Sequence, residues 1–260
     1  MYHHRLTISY KGTNYFGWQD TGTSEDKPTI EASIHQVIKK ICKYQESSIH
    51  ASSRTDAGVH AQGQVLKVSI AINITSDKLL LGMNSLLPND IRVLDCTSCA
   101  EVFNPNKDSK SKEYHYLFCT DSIHNPILND TVAHIPSSTS VPLDIALIQE
   151  GCKLFEGKHD FYNFAKRDTA LPSTVRTVLS CEVVQAYSYF GNELYSIKII
   201  GTGFLRYMVR YMTGALFALG RGQIELSDIS NALEMHTEEK LRPKAMSRGL
   251  HLVEVFYEPY

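Results

Sequence analysis

The densest chemistry in the chain lies in Ser52-Ser53-Arg54-Thr55-Asp56-Ala57-Gly58-Val59-His60-Ala61. Its residues are small or polar and suit a tight loop at a sheet edge. Arg54 and Asp56 are two apart, so in extended chain they share a face. Gly58 permits a turn that brings backbone close to a ligand. The Asp56 carboxylate suits two uses, nucleophile or general base. The plainer alternative is a turn closed by an Asx hydrogen bond and a surface ion pair. His60 has no evident chemical role, and its expected use is to fix the loop.

The elements around this segment read as mixed α and β. Leu6, Ile8 and Tyr10 alternate with polar residues as in a strand with one buried face, and Lys11 to Asn14 form a turn. Pro28-Thr29 opens a helix whose apolar face is Ile30, Ile34, Val37, Ile38 and Ile41. Leu66 to Ile72 alternate as a strand. Ser76 is placed to cap a helix carrying Leu79, Leu80, Met83 and Leu87, stopped by Pro88-Asn89-Asp90 ahead of a strand at Ile91 to Leu94. In the second half, Lys112 to Cys119 is a strand, and Pro142 stands near the first turn of a helix to Phe155. Val178 to Ala186 and Leu194 to Ile200 bracket Gly191-Asn192 as a hairpin. Phe204 to Leu219 is a long apolar helix ending at Gly220, followed by a short helix to Met235 and a final strand with Leu250, Val253 and Val255. Two similar rounds of strands and helices predict two related α+β halves, with an antiparallel or mixed sheet rather than a parallel one. The polar stretch Phe103 to Ser111 is the expected boundary.

Composition narrows the classes. The chain has 260 residues, 43% hydrophobic and 21% charged, which excludes a disordered chain, a collagen and a coiled coil. No stretch approaches the ~20 apolar residues needed to span a bilayer. The segment MYHHRLTISYKG lacks an apolar core of signal-peptide length, so the expected location is the cytosol. Six cysteines include one close pair, Cys96 and Cys99, and no second pair to complete a zinc ribbon. Reduced, packed thiols are the expectation. Net charge is −2, so no bulk basicity advertises a nucleic acid. The distribution is uneven, however. Leu194 to Ile224 carries Lys198, Arg206, Arg210 and Arg221 without an acid, and Lys240 to His251 carries Lys240, Arg242, Lys244 and Arg248 without one. A slightly negative protein can still present a basic face.

Seven ordered blocks resemble the tRNA pseudouridine synthase A family. Arg54 to Ala61, RTDAGVHA, resembles its signature loop. Ile8 to Gln19 resembles its first strand and turn. Asn84-Ser85-Leu86-Leu87-Pro88-Asn89-Asp90-Ile91 resembles N-x-x-L-P-x-D-I. Tyr114-His115-Tyr116 resembles Y-x-Y, and Gly157 to Phe161 resembles G-x-H-D-F. Phe204 to Arg210 resembles F-L-x-x-M-V-R, and Gly249 to Leu252 resembles G-L-x-L. The blocks run from residue 8 to 252.

The resemblance implies isomerisation of uridine to pseudouridine in tRNA, in the anticodon stem-loop around positions 38 to 40, with no metal, redox or nucleotide cofactor. It implies the pseudouridine synthase fold: an α+β chain whose extended antiparallel or mixed sheet comes from two RRM-like halves, flanked by helices around a central basic cleft. The halves are expected at 1–105, with the Asp loop, and 106–260. It implies a homodimer acting on tRNA, with no membrane partner. By matching, Asp56 is the catalytic aspartate and Arg210 the arginine that pairs with it. An adjacent guanidinium keeps a carboxylate ionised and fixes its direction. Tyr114 falls on the tyrosine that packs on the target base, Arg54 supports the flipped nucleotide, and Arg206 is a further substrate-binding candidate. Trp18 with Tyr15 and Phe16 suits either a stacking platform or core packing, with packing the expectation.

One departure touches function. The family's F-x-A-R segment is Phe103-Asn104-Pro105-Asn106 here, so Asn106 replaces an arginine implicated in displacing the nucleotide. Lys107 and Lys110 are near enough to contact phosphate in its place, though neither restores a guanidinium. The rival readings are a non-catalytic RNA-binding module, which loss of Asp56, Tyr114 or Arg210 would mark, and a carboxylate-dependent hydrolase, which would want a second carboxylate or a metal cluster.

Overall fold

Thr29 shows how local sequence sets an element: its side-chain oxygen accepts from the Ala32 amide at 3.2 Å and caps the first helix. The computed structural model describes residues 1–19, 28–138, 140, 142–167, 172–189, 191–237 and 240–258. Its elements are β1 (Tyr2–Tyr10), α1 (Ile30–Ile41), β2 (Ser47–Ala51), β3 (His60–Ile70), α2 (Ser76–Leu86), β4 (Ile91–Ser98), β5 (Ser111–Cys119), β6 (Ala133–His134), α3 (Ile145–Phe155), β7 (Gly157–Asp160), β8 (Val175–Tyr189), β9 (Asn192–Gly201), α4 (Met208–Gly220), α5 (Leu226–Glu234) and β10 (Leu250–Phe256). Among the described residues no helix is long and apolar enough to cross a membrane.

The chain divides into two compact units, Met1–Lys110 with His251–Tyr260, and Ser111–Leu250. The division falls inside the expected polar stretch but after residue 110 rather than 105. The second half also does not keep the C-terminus. β10 pairs parallel with β3, His251 opposite His60 and Leu252 opposite Ala61, and the Lys110 amide donates to Phe256 O at 2.8 Å. Parallel pairing joins strands far apart in sequence, so periodicity carries no trace of it.

In the first unit β1 is flanked by β4 and β3, both antiparallel, with Leu6 opposite both Cys96 and Leu66. β2 lies antiparallel on the far side of β3. Ile30, Ile34 and Ile38 of α1 are fully buried, each worth roughly 1.5–3 kcal/mol. Ser76 does not cap α2. It is the first helical residue, and its hydroxyl bonds to His4 Nδ1 at 3.1 Å.

In the second unit the order is β6-β5-β9-β8-β7, with only β5–β6 parallel. α3 packs on α4, α5 and β8. α3 starts at Ile145, three residues after Pro142, and Asp144 caps it, accepting from the Leu147 amide at 2.9 Å. α4 starts at Met208, four residues later than the apolar pattern predicts, because Tyr207 takes a left-handed φ of 67°. All six cysteines are free thiols, and all but Cys99 are buried.

Candidate active site

The Asp56 loop joins β2 to β3 and is tied down at each step. Buried Gln64 on β3 donates to Ser53 O at 2.7 Å and accepts from the Ser52 hydroxyl at 2.9 Å and the Ser53 amide at 3.2 Å. The hydroxyls of Thr55 and Tyr10 share a bond of 2.7 Å. Thr55 O accepts from the Trp18 amide at 3.0 Å. Asp56 O then accepts from the Val59 amide at 3.1 Å, closing a turn through Gly58 at φ 75°. This leaves Arg54 and Ala57 exposed and Asp56 half-buried. Half-buried Asp56 thus stands on a backbone pinned at several points, the support that nucleophilic or base chemistry needs.

Residues 10–18 supply that support. Gly17 has φ 91°, and a Cβ on it would lie 2.8 Å from Thr55 O and 3.0 Å from the Asp56 carbonyl carbon. Only glycine lets the two backbones meet so closely. Tyr15 O accepts from the Gly58 amide, and its phenol donates to Asp90 Oδ1 at 2.6 Å. Burial first, then the Asp90 carboxylate, pushes the Tyr15 phenol far above its ordinary range, so it remains a donor. Three blocks far apart in sequence, at residues 8–19, 52–61 and 84–91, therefore converge on one loop. His60 serves them structurally: Nδ1 accepts from the Gly12 amide at 3.1 Å, so Nε2 carries the proton, and the ring stacks on His251 at 4.7 Å. Tyr15 and Trp18 are core residues, whereas Phe16 is 58% exposed. Asn106, Lys107 and Lys110 are exposed, the first two on a turn whose amides donate to Asn104 Oδ1.

The other candidates lie in the second unit. Tyr114 is buried on β5, opposite Ile199, with its ring edge-on to Phe204 at 5.1 Å. Arg210, 9% exposed on α4, donates Nε to Ala245 O at 2.8 Å, and Arg210 O accepts from the Ala245 amide at 2.8 Å. Gly214, one turn on, makes that strap possible, since a Cβ there would sit 2.1 Å from Pro243 O. Arg206 is exposed and donates to the Tyr207 hydroxyl at 3.3 Å. The guanidinium carbons of Arg206 and Arg210 lie 5.0 and 5.6 Å from the Tyr207 ring centre. Lys112 reads in the sequence only as the start of a strand. It shares the Tyr114 face of β5 and is only 7% exposed, and burial brings its ammonium down to about 8. A lysine two residues ahead of Y-x-Y was the one available signal. Among the described residues no group of three or more His, Cys, Asp or Glu side chains is placed to hold a metal.

The family model for tRNA pseudouridine synthases matches residues 6–103 and 152–258. The chain is 44% identical over 259 residues to tRNA pseudouridine synthase A 2 of Desulfotalea psychrophila, covering 98% of both chains. The chain belongs to the tRNA pseudouridine synthase family. It is also 34% identical to the tRNA pseudouridine synthases A of Caldicellulosiruptor saccharolyticus (252 residues) and Thermodesulfovibrio yellowstonii (260 residues), in each case over 97% of this chain and 98% of the relative. A chain of a Cbf5-Nop10-Gar1 complex aligns with 82% of this chain and 45% of its own at 14% identity, with a TM-score of 0.33.

As a pseudouridine synthase the protein is an isomerase, and its α+β architecture is the pseudouridine synthase fold. The expected pair of Asp56 and Arg210 draws one residue from each unit. Within each unit the side chains that matching singled out stand on elements fixed by close backbone packing.

Proposed function

We propose that the protein isomerises uridine to pseudouridine in the anticodon stem-loop of tRNA, around positions 38 to 40. Asp56 acts as nucleophile or base, and Arg210 is its ion-pair partner. Tyr114 stacks on the uracil, and Arg54 and Arg206 hold the flipped nucleotide. A base within a stem must leave its stack to be reached. The observation that carries this reading is the Asp56 loop, pinned by Gln64, Tyr10 and the residue 15–18 backbone with Asp56 half-buried at its turn.

The reaction balances within the substrate. The C1′–N1 bond breaks, the base turns, C1′ bonds to C5, the C5 proton leaves and N1 gains one. Nothing is oxidised or reduced, so the chemistry asks for a positioned carboxylate and a site that holds the detached uracil. The protein works in the cytosol as a homodimer whose two copies bind one tRNA.

The test is pseudouridine mapping in tRNA incubated with purified wild type or Asp56→Asn, which keeps the side-chain shape and removes its charge. Wild type should modify the stem-loop, while the variant should bind tRNA and form no detectable product. Product from pure Asp56→Asn rejects the assigned role. No product from wild type that still binds tRNA identifies a non-catalytic RNA-binding module.

A further inference from the structure

Tyr116, the second tyrosine of Y-x-Y, is fully buried on β5 opposite Ile197, and its hydroxyl donates to Met246 O at 3.0 Å. Met246 lies on a strap, residues 243–246, that belongs to no helix or strand. A segment without a ladder of its own keeps its place through bonds made from elsewhere. The same strap holds Arg210: its Nε donates to Ala245 O, and the Ala245 amide donates to Arg210 O, each at 2.8 Å. The acceptor for the guanidinium and the acceptor for the phenol are therefore consecutive carbonyls. Only the φ and ψ of Met246, −60° and 145°, separate them, so a shift of one is passed to the other.

The Tyr116 ring has little freedom. Phe217 of α4 meets it edge-on at 5.6 Å, and a Cβ on Gly249 would lie 2.7 Å from its Cζ. Burial pushes the phenol far above its ordinary range, against the charges of Arg210 and Arg248 and the bond to Met246, so it stays a donor. Residues from three of the sequence blocks, at 114–116, 204–210 and 249–252, thus meet around the strap. The single Nε–H of Arg210 is committed to Ala245 O, which sets the guanidinium plane and assigns carboxylate pairing to the two Nη groups. A fork of this kind meets a carboxylate through two parallel bonds, so its direction decides the quality of the pair.

We propose that Tyr116 is a positioning residue for the isomerisation: its hydroxyl fixes the 243–246 strap, and the strap sets the direction of the Arg210 guanidinium. The inference rests on the Asp56–Arg210 pairing proposed above and adds what holds the arginine. It separates the uses of the two tyrosines of Y-x-Y, the first packing on the base and the second acting through Arg210. Phenylalanine fills the same space as tyrosine, so a ring present for packing alone would lose no function as Tyr116→Phe.

The experiment is single-turnover pseudouridine formation in an unmodified tRNA transcript, read as the rate at saturating enzyme and the enzyme concentration for half-maximal rate. Tyr116→Phe should lower the saturating rate about tenfold, less than the roughly 100-fold of a 1 Å misplacement because the Arg210–Ala245 bonds remain. Its half-saturation should stay within twofold of wild type, and its rate should climb with pH as that of Arg210→Met is expected to do. Arg206 and Lys244, which share the Tyr207 ring with Arg210, and Arg248 are unchanged in this variant, so the altered profile reports on Arg210. Thr213→Val is the control: it removes another buried hydroxyl of α4, bonded to Val209 O at 2.8 Å, and should keep the wild-type rate and profile. Met246→Gly loosens the same strap at an exposed side chain and carries the test should Tyr116→Phe lose its fold by circular dichroism. A Tyr116→Phe rate within twofold of Thr213→Val overturns the inference, and so does a lowered rate with the wild-type pH profile. Failure of the functional reading is seen separately, as a wild-type rate in Arg210→Met or no pseudouridine with wild type.

Discussion

Gly17→Ala tests whether the residue 15–18 turn positions the Asp56 loop. Two costs arise. The first is the left-handed φ of 91°, which disfavours an L side chain by ~1–2 kcal/mol. The second is contact: the new Cβ would lie 2.8 Å from Thr55 O, where ordinary contact begins near 3.4 Å, and its three nearest neighbours are all backbone of residues 55–57. The loop must yield by several tenths of an ångström. Gly191→Ala is the control, since φ is 79° and nothing lies within 4 Å of the new Cβ. Both variants should lose roughly 2–8 °C in Tm from the backbone term. Only Gly17→Ala should lose turnover, by roughly 10- to 100-fold, because a misplacement of about 1 Å costs about 100-fold. The assay is single-turnover release of tritium from tRNA carrying tritium at uridine C5, the position that loses its proton. A Gly17→Ala rate within twofold of Gly191→Ala refutes the claim that this contact positions Asp56.

Arg210→Met should lower the single-turnover rate sharply. The residual rate should climb with pH, because a carboxylate without its cation holds a proton more tightly, and Arg210→Lys should recover only part of the rate; a wild-type pH profile in Arg210→Met would show Arg210 to be structural. Lys112→Met should raise Tm at pH 7. The folded ammonium at about 8 against an ordinary 10.5 means that the unfolded chain binds more protons between those values, so this group adds stability as pH rises from 8 to 10.5. The gap corresponds to roughly 3 kcal/mol; chemical denaturation at pH 7 and pH 10 should show that rise in wild type and a smaller one in the variant.

The elements legible in the sequence are those whose signals are local. The alternation at Leu6, Ile8 and Tyr10, the stripe from Ile30 to Ile38 and the Gly191-Asn192 hairpin each report a face that one segment must bury. Arg54 to Val59 are legible as a loop from their small and polar residues, whereas His60 and Ala61 of the same block already belong to β3 and pair with β10. β2 carries no such signal: Ser47–Ala51 is polar without alternation, and its extended form comes from pairing with β3. The start of α4 was misplaced because Phe204 to Tyr207 fit the apolar pattern, while tertiary packing holds Tyr207 in a conformation that helix propensity disfavours.

The sequence by itself determined the family, the residue types available for chemistry and most of the element order, because those are properties of patterns along the chain. Only the tertiary structure decided that Tyr15 and Trp18 are buried while Phe16 is exposed, that a buried lysine shares the Tyr114 face, and that β10 returns to the first unit. Each depends on residues tens or hundreds of positions apart meeting in space, and periodicity records which face a residue is on but not what that face meets.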